Sequence, residues 1–234
     1  NCFNYAVITS TGNNVGGLVG YTYQNAVIEN CANFGAVTGG SSVGGIIGGT
    51  VGNGSTITGC YNTAEISATG SKAGAIIGGP SSEMTVTSCY NTGKISGTTS
   101  GGIAGEVKGN VNWRGTMQGK ITISSCYSTG EAGSAVFGTV DTASSEISKC
   151  YYLNTLNADA NAEALNEADL KDADLSDTFG PVCGGYPALR WQTDVTFHEA
   201  AGEGTVTAPL CTVKGYTRYS CSKCGKSYRT AYTA

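Results

Sequence analysis

The stretch SCYNTGKIS at residues 88–96 decides the fold, because the chain repeats it at a fixed interval. Related versions are GCYNTAEIS from residue 59, NCANFGAVT from residue 30, NCFNYAVIT from residue 1 and SCYSTGEAG from residue 125. The first three intervals between the cysteines are 29 residues and the last two are 37 and 24, at Cys2, Cys31, Cys60, Cys89, Cys126 and Cys150. Such regularity indicates a stack of equivalent structural units.

Each unit contains two further apolar segments beside the cysteine phrase. One reads GGLVG from residue 16, GGIIG from 44, GAIIG from 74, GGIAG from 101 and, in degenerate form, SAVFG from 134. The other places Ile or Val three residues before each cysteine, from Ile28 onward. Because Gly, Asn, Ser and Thr separate these segments, each unit predicts three short strands joined by turns.

A unit of about 29 residues buries too little apolar surface to fold alone, but stacked units pair each strand with its copy about 4.8 Å away. The sequence therefore predicts an all-β chain whose residues 1–154 form a parallel β-helix, or β-solenoid. The glycines of the GGIIG segments are expected at tight corners or at positive φ.

When the units stack, residues at equivalent positions of the repeat form columns of side chains. Asn amides in such a column can donate and accept along it at a turn. For the cysteines, reduced core thiols are favoured over disulfides or metal ligands, because in-register side chains point in parallel and do not suit a disulfide torsion. The predicted ladder residues are Cys31, Cys60, Cys89, Cys126 and Cys150, with Asn33, Asn62 and Asn91.

Tyrosines directly follow four of the ladder cysteines, at Tyr61, Tyr90, Tyr127 and Tyr151, and the first three are candidate binding residues. If the cysteines point inward, simple alternation directs these rings outward, as a platform for a sugar ring or a partner protein. The alternative, which is favoured, is a half-buried structural column, since bulges at turns reverse the alternation.

The fourth unit carries extra residues within EVKGNVNWRGTMQGK, at 106–120. An insertion in a solenoid leaves the stack as a loop on one face. Trp113 and Arg114 in this loop are candidate binding residues, because exposed Trp and Arg frequently anchor interfaces. A hairpin that packs on its own solenoid is the alternative.

Residues 155–194 are expected to form a cap over the last unit, because an exposed solenoid end invites end-to-end stacking. From Asn157 the composition changes to Ala, Asp, Glu and Leu. Leu165, Leu170 and Leu175 are five residues apart, which predicts two short helices rather than one amphipathic helix. The following GGYPALRWQ, at 184–192, predicts a strand.

Residues 195–234 form a separate small Cys-containing β module in this interpretation. Cys221 and Cys224 make a C-x-x-C pair, and with Cys211 and His198 they are candidate ligands for zinc. Disulfides within this tail, a disulfide to Cys183, and free thiols remain alternatives.

The charge pattern excludes several classes of function. The net charge is −4, with acidic residues concentrated in 159–177, so no basic surface is expected for nucleic acid. No apolar run reaches the roughly 18 residues of a membrane span.

The solenoid carboxylates are scattered rather than paired for glycoside chemistry, which favours a non-enzymatic protein. Glu65 and Lys94 predict a cross-rung ion pair.

The GGIIG segments combined with N-C-Y-N-x-G-x-I resemble the GLUG repeat of bacterial cell-surface proteins, over about residues 1–153. The tail CTVKGYTRYSCSKCGKSY resembles a short Cys module near the ends of clostridial surface proteins. The resemblance implies an extracellular, surface-displayed adhesin or spacer that presents a binding face to a host glycan or protein. A fibre-forming protein that self-associates through the open solenoid end is the alternative, and a β-helix polysaccharide-degrading enzyme is less favoured.

Overall fold

A computed structural model describes residues 1–50, 53–80, 83–111, 117–211 and 214–233. The chain divides into two compact units, Asn1–Leu165 and Asn166–Ala234. Segment 155–165, assigned above to the cap, is thus part of the first unit.

The first unit is a stack of five rungs, where a rung is one turn of the solenoid. The first rung contains β1 (Phe3–Asn4), β2 (Ile8–Thr9), β3 (Val15–Gly16), β4 (Val19–Thr22) and β5 (Val27–Glu29). The second contains β6 (Ala32–Asn33), β7 (Val37–Gly39), β8 (Val43–Gly44), β9 (Ile47–Thr50) and β10 (Ser55–Thr58). The third contains β11 (Tyr61–Asn62), β12 (Ile66–Ala68), β13 (Ala73–Gly74), β14 (Ile77–Pro80) and β15 (Met84–Thr87).

The fourth rung contains β16 (Tyr90–Asn91), β17 (Ile95–Ser96), β18 (Ser100–Gly101) and β19 (Ala104–Val107), followed by an antiparallel pair, β20 (Asn110–Val111) and β21 (Met117–Gly119). The long β22 (Ile121–Ser128) leads into the fifth rung, with β23 (Phe137–Val140), a 3₁₀ turn (Thr142–Ser144) and β24 (Ser145–Leu153). β25 (Glu163–Leu165) then pairs in parallel with β24.

Equivalent strands of successive rungs pair in parallel and in register, which confirms the predicted β-helix. One sheet has the order β2-β7-β12-β17, a second β3-β8-β13-β18 and a third β4-β9-β14-β19-β23. The fourth sheet of the solenoid has the order β1-β6-β11-β16-β22-β15-β10-β5. In addition, β24 pairs with β22, and β25 pairs with β24. Apolar side chains from all rungs fill the interior, with Ile47 and Ile77 as consecutive members of one buried column.

The rungs differ from the three-strand prediction because corners divide them into five short strands. Residues in left-handed conformation recur at equivalent positions, such as Ser42 (φ 55°) and Lys72 (φ 65°) before β8 and β13. Of the two alternatives expected for the GGIIG glycines, the tight corner is observed at Gly45, which lies at the bend between β8 and β9, whereas its φ is not positive. Gly45 also permits close approach of rungs, since a Cβ there would lie 2.3 Å from the Ala75 carbonyl oxygen and 2.7 Å from Asn62 Oδ1.

The second unit contains one helix within its described residues, where the sequence predicted two across residues 157–177. This helix, α1, spans Glu167–Lys171, and its first turn is capped by the Asn166 side chain, which accepts from the Asp169 amide. Leu165 belongs to β25 because backbone pairing with β24 completes the last rung there. The unit also contains the antiparallel pair β26 (Phe179–Gly180) and β27 (Ala188–Leu189), and the three-stranded sheet β28 (Thr205–Thr207), β29 (Gly215–Ser220) and β30 (Ser227–Thr233).

Candidate functional sites: buried ladders and a cysteine-histidine cluster

The tyrosine column is buried, which confirms the favoured interpretation of a structural column and contradicts the alternative of an exposed binding platform. Tyr61, Tyr90 and Tyr127 are 4%, 6% and 1% exposed. Tyr61 stacks on Tyr90 with ring centroids 4.8 Å apart, and Tyr90 stacks on Tyr127 at 5.1 Å, with interplanar angles of 2° and 3°. These rings therefore stabilise the stack and offer no face to a ligand.

A left-handed corner explains why simple alternation fails at this position. The residue immediately before each of the five ladder cysteines has a positive φ, between 49° and 63°. These residues are Asn30, Gly59, Ser88, Ser125 and Lys149. This corner reorients the chain between the strand that ends before it and the Cys-Tyr-Asn segment that follows. Consequently, the Cys, Tyr and Asn side chains that follow this corner are all buried in the second to fourth rungs. They are Cys31, Asn33, Cys60, Tyr61, Asn62, Cys89, Tyr90 and Asn91.

Ala32 is the one small residue in the tyrosine column, and an aromatic ring beside it compensates. Ala32 pairs with Tyr61 in register. Phe34, two residues later, contacts Tyr61 edge-on with ring centroids 5.6 Å apart. Phe34 also stacks on Tyr5 at 4.8 Å, so aromatic contact continues to the first rung.

The ladder cysteines form a column of buried free thiols. Each thiol donates to the carbonyl oxygen two residues earlier, at 3.1–3.4 Å, from Cys31, Cys60, Cys89, Cys126 and Cys150. Burial raises the pKa of the Cys89 thiol well above its ordinary value, with further contributions from hydrogen bonding to the Cys126 and Cys60 thiols. Because these thiols are free, buried and hydrogen-bonded, the column is a polarisable filling for the core.

The asparagine column is a continuous hydrogen-bonded ladder along the axis. Asn4 Nδ2 donates to Asn33 Oδ1 at 2.7 Å, Asn33 Nδ2 to Asn62 Oδ1 at 2.7 Å, and Asn62 Nδ2 to Asn91 Oδ1 at 2.9 Å. The fourth amide, Asn91, donates to Ser128 Oγ at 3.3 Å. Asn33, Asn62 and Asn91 are fully buried, so their polar atoms depend on these partners.

Asp159, which the sequence analysis did not single out, closes the last rung. Its Oδ2 accepts from the backbone amides of Val136 at 3.0 Å and Phe137 at 2.6 Å, and from Ser134 Oγ at 3.1 Å. In the preceding rung, the equivalent amides of Ile103 and Ala104 both donate to the Val136 carbonyl of the next rung. The Asp159 carboxylate thus replaces the carbonyl that a sixth rung would supply.

Carboxylates of the solenoid form ion pairs between consecutive rungs. Lys94 pairs with Glu131 at 3.5 Å, not with Glu65 as predicted, since the next rung offers the nearer acid. Lys72 pairs with Glu106 at 2.7 Å. Lys120 and Glu146 form a third such pair at 2.8 Å.

Four potential metal ligands converge in the second unit: Cys183, His198, Cys221 and Cys224. Their ligand atoms all lie within 4.8 Å of one another. Cys211, which the sequence analysis included, is exposed and outside the cluster, and Cys183 takes its place. Trp113 and Arg114, the other candidate binding residues, lie outside the described residues.

Backbone pairing brings the four ligands together from three segments. An antiparallel bridge between Val182 and Phe197 places Cys183 beside His198, and a second bridge joins Ala200 to Cys221. The C-x-x-C segment turns tightly, because the Gly225 amide donates to the Cys221 carbonyl at 2.9 Å and Gly225 has φ +71°.

The geometry of the cluster fits a tetrahedral zinc ion. Zn–S and Zn–N bonds of about 2.3 and 2.0 Å place the ligand atoms of a tetrahedron about 3.5–3.8 Å apart. Cys183 Sγ and Cys221 Sγ are 3.6 Å apart, and His198 Nδ1 is 3.5 Å from Cys183 Sγ and from Cys224 Sγ. The His198 ring stacks on Tyr228 at 4.6 Å, which orients Nδ1 toward the thiols.

The electrostatics of two cluster thiols differ. Burial raises the pKa of Cys183 to about 12, with further contributions from the neighbouring cysteines. At Cys221, burial also raises the pKa, but hydrogen bonds from His198 and from backbone amides outweigh it and hold the pKa at about 5. Cys221 is therefore better suited than Cys183 to enter the site as a thiolate.

The fold and the cluster define a repeat protein of the parallel β-solenoid class, followed by a unit with a Cys₃His group that could bind a metal. The GLUG motif model matches residues 11–38, about one turn of the solenoid, and supports a GLUG-repeat protein. Searches of curated proteins and of solved structures gave no match. In the described part of the chain, no helix has the length and apolar character to cross a membrane.

Proposed function

We propose that the protein is a non-enzymatic, extracellular module of a bacterial surface protein, which acts as a spacer or adhesin. The observation that carries this proposal is the set of buried side-chain columns that run through successive rungs. Because cysteine, tyrosine and asparagine columns run from rung to rung, bending would break many contacts at once, so the stack resists deformation. A stiff stack suits a protein that holds a binding surface away from its attachment point.

The distribution of charged groups supports a non-enzymatic role. The ion pairs of Glu106, Glu131 and Glu146 with lysines of neighbouring rungs assign these carboxylates to the structure. Glycoside hydrolysis requires two carboxyl groups facing one bond. The single histidine, His198, belongs to the Cys₃His cluster.

Recognition, in this proposal, belongs to the insertion that carries Trp113 and Arg114, since the tyrosine column is buried. Glycan and host-protein arrays probed with the full chain test it. Trp113→Ala and Arg114→Ala should abolish a signal that Tyr23→Ala, at a 74% exposed aromatic residue elsewhere, leaves unchanged. A chain that binds nothing on either array is a spacer, and release of reducing sugar ends from polysaccharides would contradict both roles.

A fibre-forming protein is the second candidate, because strands that pair rung on rung along the solenoid axis have the geometry in which chains stacked end to end form filaments. Electron microscopy of the purified chain distinguishes a fibre-forming protein from a spacer or adhesin, because only the fibre-forming protein gives filaments that lengthen with concentration.

We also propose that the second unit binds one structural zinc ion through Cys183, His198, Cys221 and Cys224. A closed four-ligand set, with no position left for water, is typical of structural rather than catalytic zinc. Cobalt substitution provides the test, since tetrahedral thiolate ligation gives intense visible absorption. Cys183→Ser should remove one cobalt equivalent, whereas Cys211→Ser should retain it; loss in both variants, or in neither, would refute this ligand set.

A further inference from the structure

The fifth rung lacks several residues that the fourth rung has, and their absence leaves a gap in the wall of the solenoid. The Ile95 amide donates to the Glu131 carbonyl at 2.7 Å, so Ala132 is the counterpart of Ile95 in the next rung. A parallel bridge then pairs Gly101 with Ser134. Between these two contacts the fourth rung advances six residues, from 95 to 101, whereas the fifth advances two, from 132 to 134. The sheet β2-β7-β12-β17 accordingly ends at the fourth rung, while β23 extends another sheet into the fifth.

The chain that follows β24 borders this gap and makes it a cleft. Asn157 Nδ2 donates to the Ala132 carbonyl at 2.7 Å, and Leu156 packs against the solenoid core. The cleft has a volume of about 300 Å³, at the lower end of the range for small-molecule sites. Its lining, all within the first unit, includes Lys94, Ile95, Glu131, Ala132, Leu156 and Asn157. The cleft therefore suits a small molecule rather than a polymer.

The cleft carries one charge of each sign, and the two charges are only weakly paired. Lys94 Nζ lies 3.5 Å from Glu131 Oε2, and these side chains are 61% and 75% exposed. The two other ion pairs between rungs are shorter, at 2.7 and 2.8 Å, and their side chains are less exposed. A long, exposed ion pair contributes little to stability. A ligand that separates Lys94 from Glu131 therefore loses little of its binding energy in doing so.

The arrangement of these groups selects a zwitterion with an apolar part. A ligand with only a negative charge would lie against Glu131, and one with only a positive charge would lie against Lys94. An α-amino acid carries both charges on neighbouring atoms, as the closely spaced Lys94 and Glu131 require. Ile95 and Leu156 add an aliphatic surface beside the two charges, which matches an aliphatic side chain.

We propose that this cleft binds a free α-amino acid with an aliphatic side chain. The ligand carboxylate pairs with Lys94, and its ammonium group pairs with Glu131 and donates to the Asn157 side-chain oxygen. The ligand side chain contacts Ile95 and Leu156. The site goes beyond the spacer or adhesin role and depends neither on the insertion nor on the Cys₃His cluster.

Isothermal titration calorimetry of the full chain with L-leucine tests the proposal. N-acetyl-L-leucine lacks the ammonium group and L-leucinamide lacks the carboxylate, so each should bind at least about tenfold more weakly than L-leucine. Lys94→Gln and Glu131→Gln should each weaken L-leucine binding by a similar factor. The matched control is the exposed pair Lys120 and Glu146, because Lys120→Gln and Glu146→Gln remove the same charges away from the cleft and should leave the affinity unchanged.

Amide chemical shifts locate the ligand, and we expect L-leucine to move those of Ala132 and Leu156. The inference is wrong if L-leucine does not bind at concentrations up to about 10 mM, if both derivatives bind as tightly, or if Lys94→Gln and Glu131→Gln bind normally. A cleft that binds N-acetylglucosamine and not L-leucine would also overturn it. Circular dichroism checks that each variant is folded. Trp113→Ala, the substitution expected to abolish the array signal, should leave L-leucine binding unchanged, which keeps this site and the adhesin role separate.

Discussion

Replacing Asn62 by Ala tests how much the asparagine column contributes to stability. The Asn62 side chain accepts from Asn33 at 2.7 Å and donates to Asn91 at 2.9 Å and to the Ala64 carbonyl at 2.8 Å. Three hydrogen bonds at about 1 kcal/mol each, plus the desolvation cost of partners left unpaired in the core, give about 3–5 kcal/mol lost from the free energy of unfolding.

The end of the same column supplies the control. Asn4 also donates to the next amide and to the carbonyl two residues on, but it is only partly buried, so water can replace its lost bonds. Asn4→Ala should therefore cost about 1 kcal/mol. Urea unfolding, followed by the near-ultraviolet circular dichroism of the stacked tyrosines, measures both. Equal losses at the two positions, or a loss at Asn62 below about 1 kcal/mol, would refute the argument that burial gives the ladder its strength.

Two further predictions concern the closed end and the thiol column. Asp159→Ala should lower the free energy of unfolding by about 2–4 kcal/mol, because it leaves two buried amides without an acceptor; hydrogen exchange should speed up first at Val136 and Phe137, and unchanged protection there would contradict the closing role. In the native protein, a thiol reagent should modify Cys2 and Cys211, which are exposed, and spare the five ladder cysteines until the chain unfolds. Rapid modification of Cys89 in the folded chain would show that the column is open to solvent.

The period of the sequence was enough to predict the stack and the membership of its columns. Residues at equivalent positions, such as Asn33, Asn62 and Asn91, are in register in the structure, because each rung offers the same environment to the same type of residue. This inference needs no knowledge of side-chain direction. Insertions and deletions, as between Cys89 and Cys126, change loops and leave the register of the flanking strands intact.

Side-chain direction was not predictable, because it depends on one backbone angle. The corner residue before each ladder cysteine is Asn, Gly, Ser, Ser or Lys in successive rungs, and all five have positive φ. Only Asn and Gly favour this conformation intrinsically, so tertiary pairing imposes it on Ser88, Ser125 and Lys149. Because these five residues differ so much, the sequence did not reveal the shared corner. Simple alternation would have directed the tyrosines outward, and the favoured structural column anticipated only that a turn would reverse it.

The metal cluster was predicted in part, for a related reason. Cys221 and Cys224 carry a local spacing that the sequence displays, whereas Cys183 is 38 residues from Cys221 along the chain. Its place in the cluster depends on the Val182–Phe197 bridge, which joins two short segments without a repeated pattern. The exposed Cys211 was included because it is nearer in sequence, which is a poor guide where antiparallel pairing brings distant segments together.

Positions where the repeat ends are the ones that carry specific chemistry in this chain. A repeated side chain packs between its copies in the neighbouring rungs, so a substitution there must still stack in the column. Asp159 occurs once and stops the stack, and Cys183 and His198 lie after the repeats and converge on one point. A search for function in a protein of this kind therefore belongs at the ends, the insertions and the appended unit, because a change within a column is constrained by the neighbours above and below it.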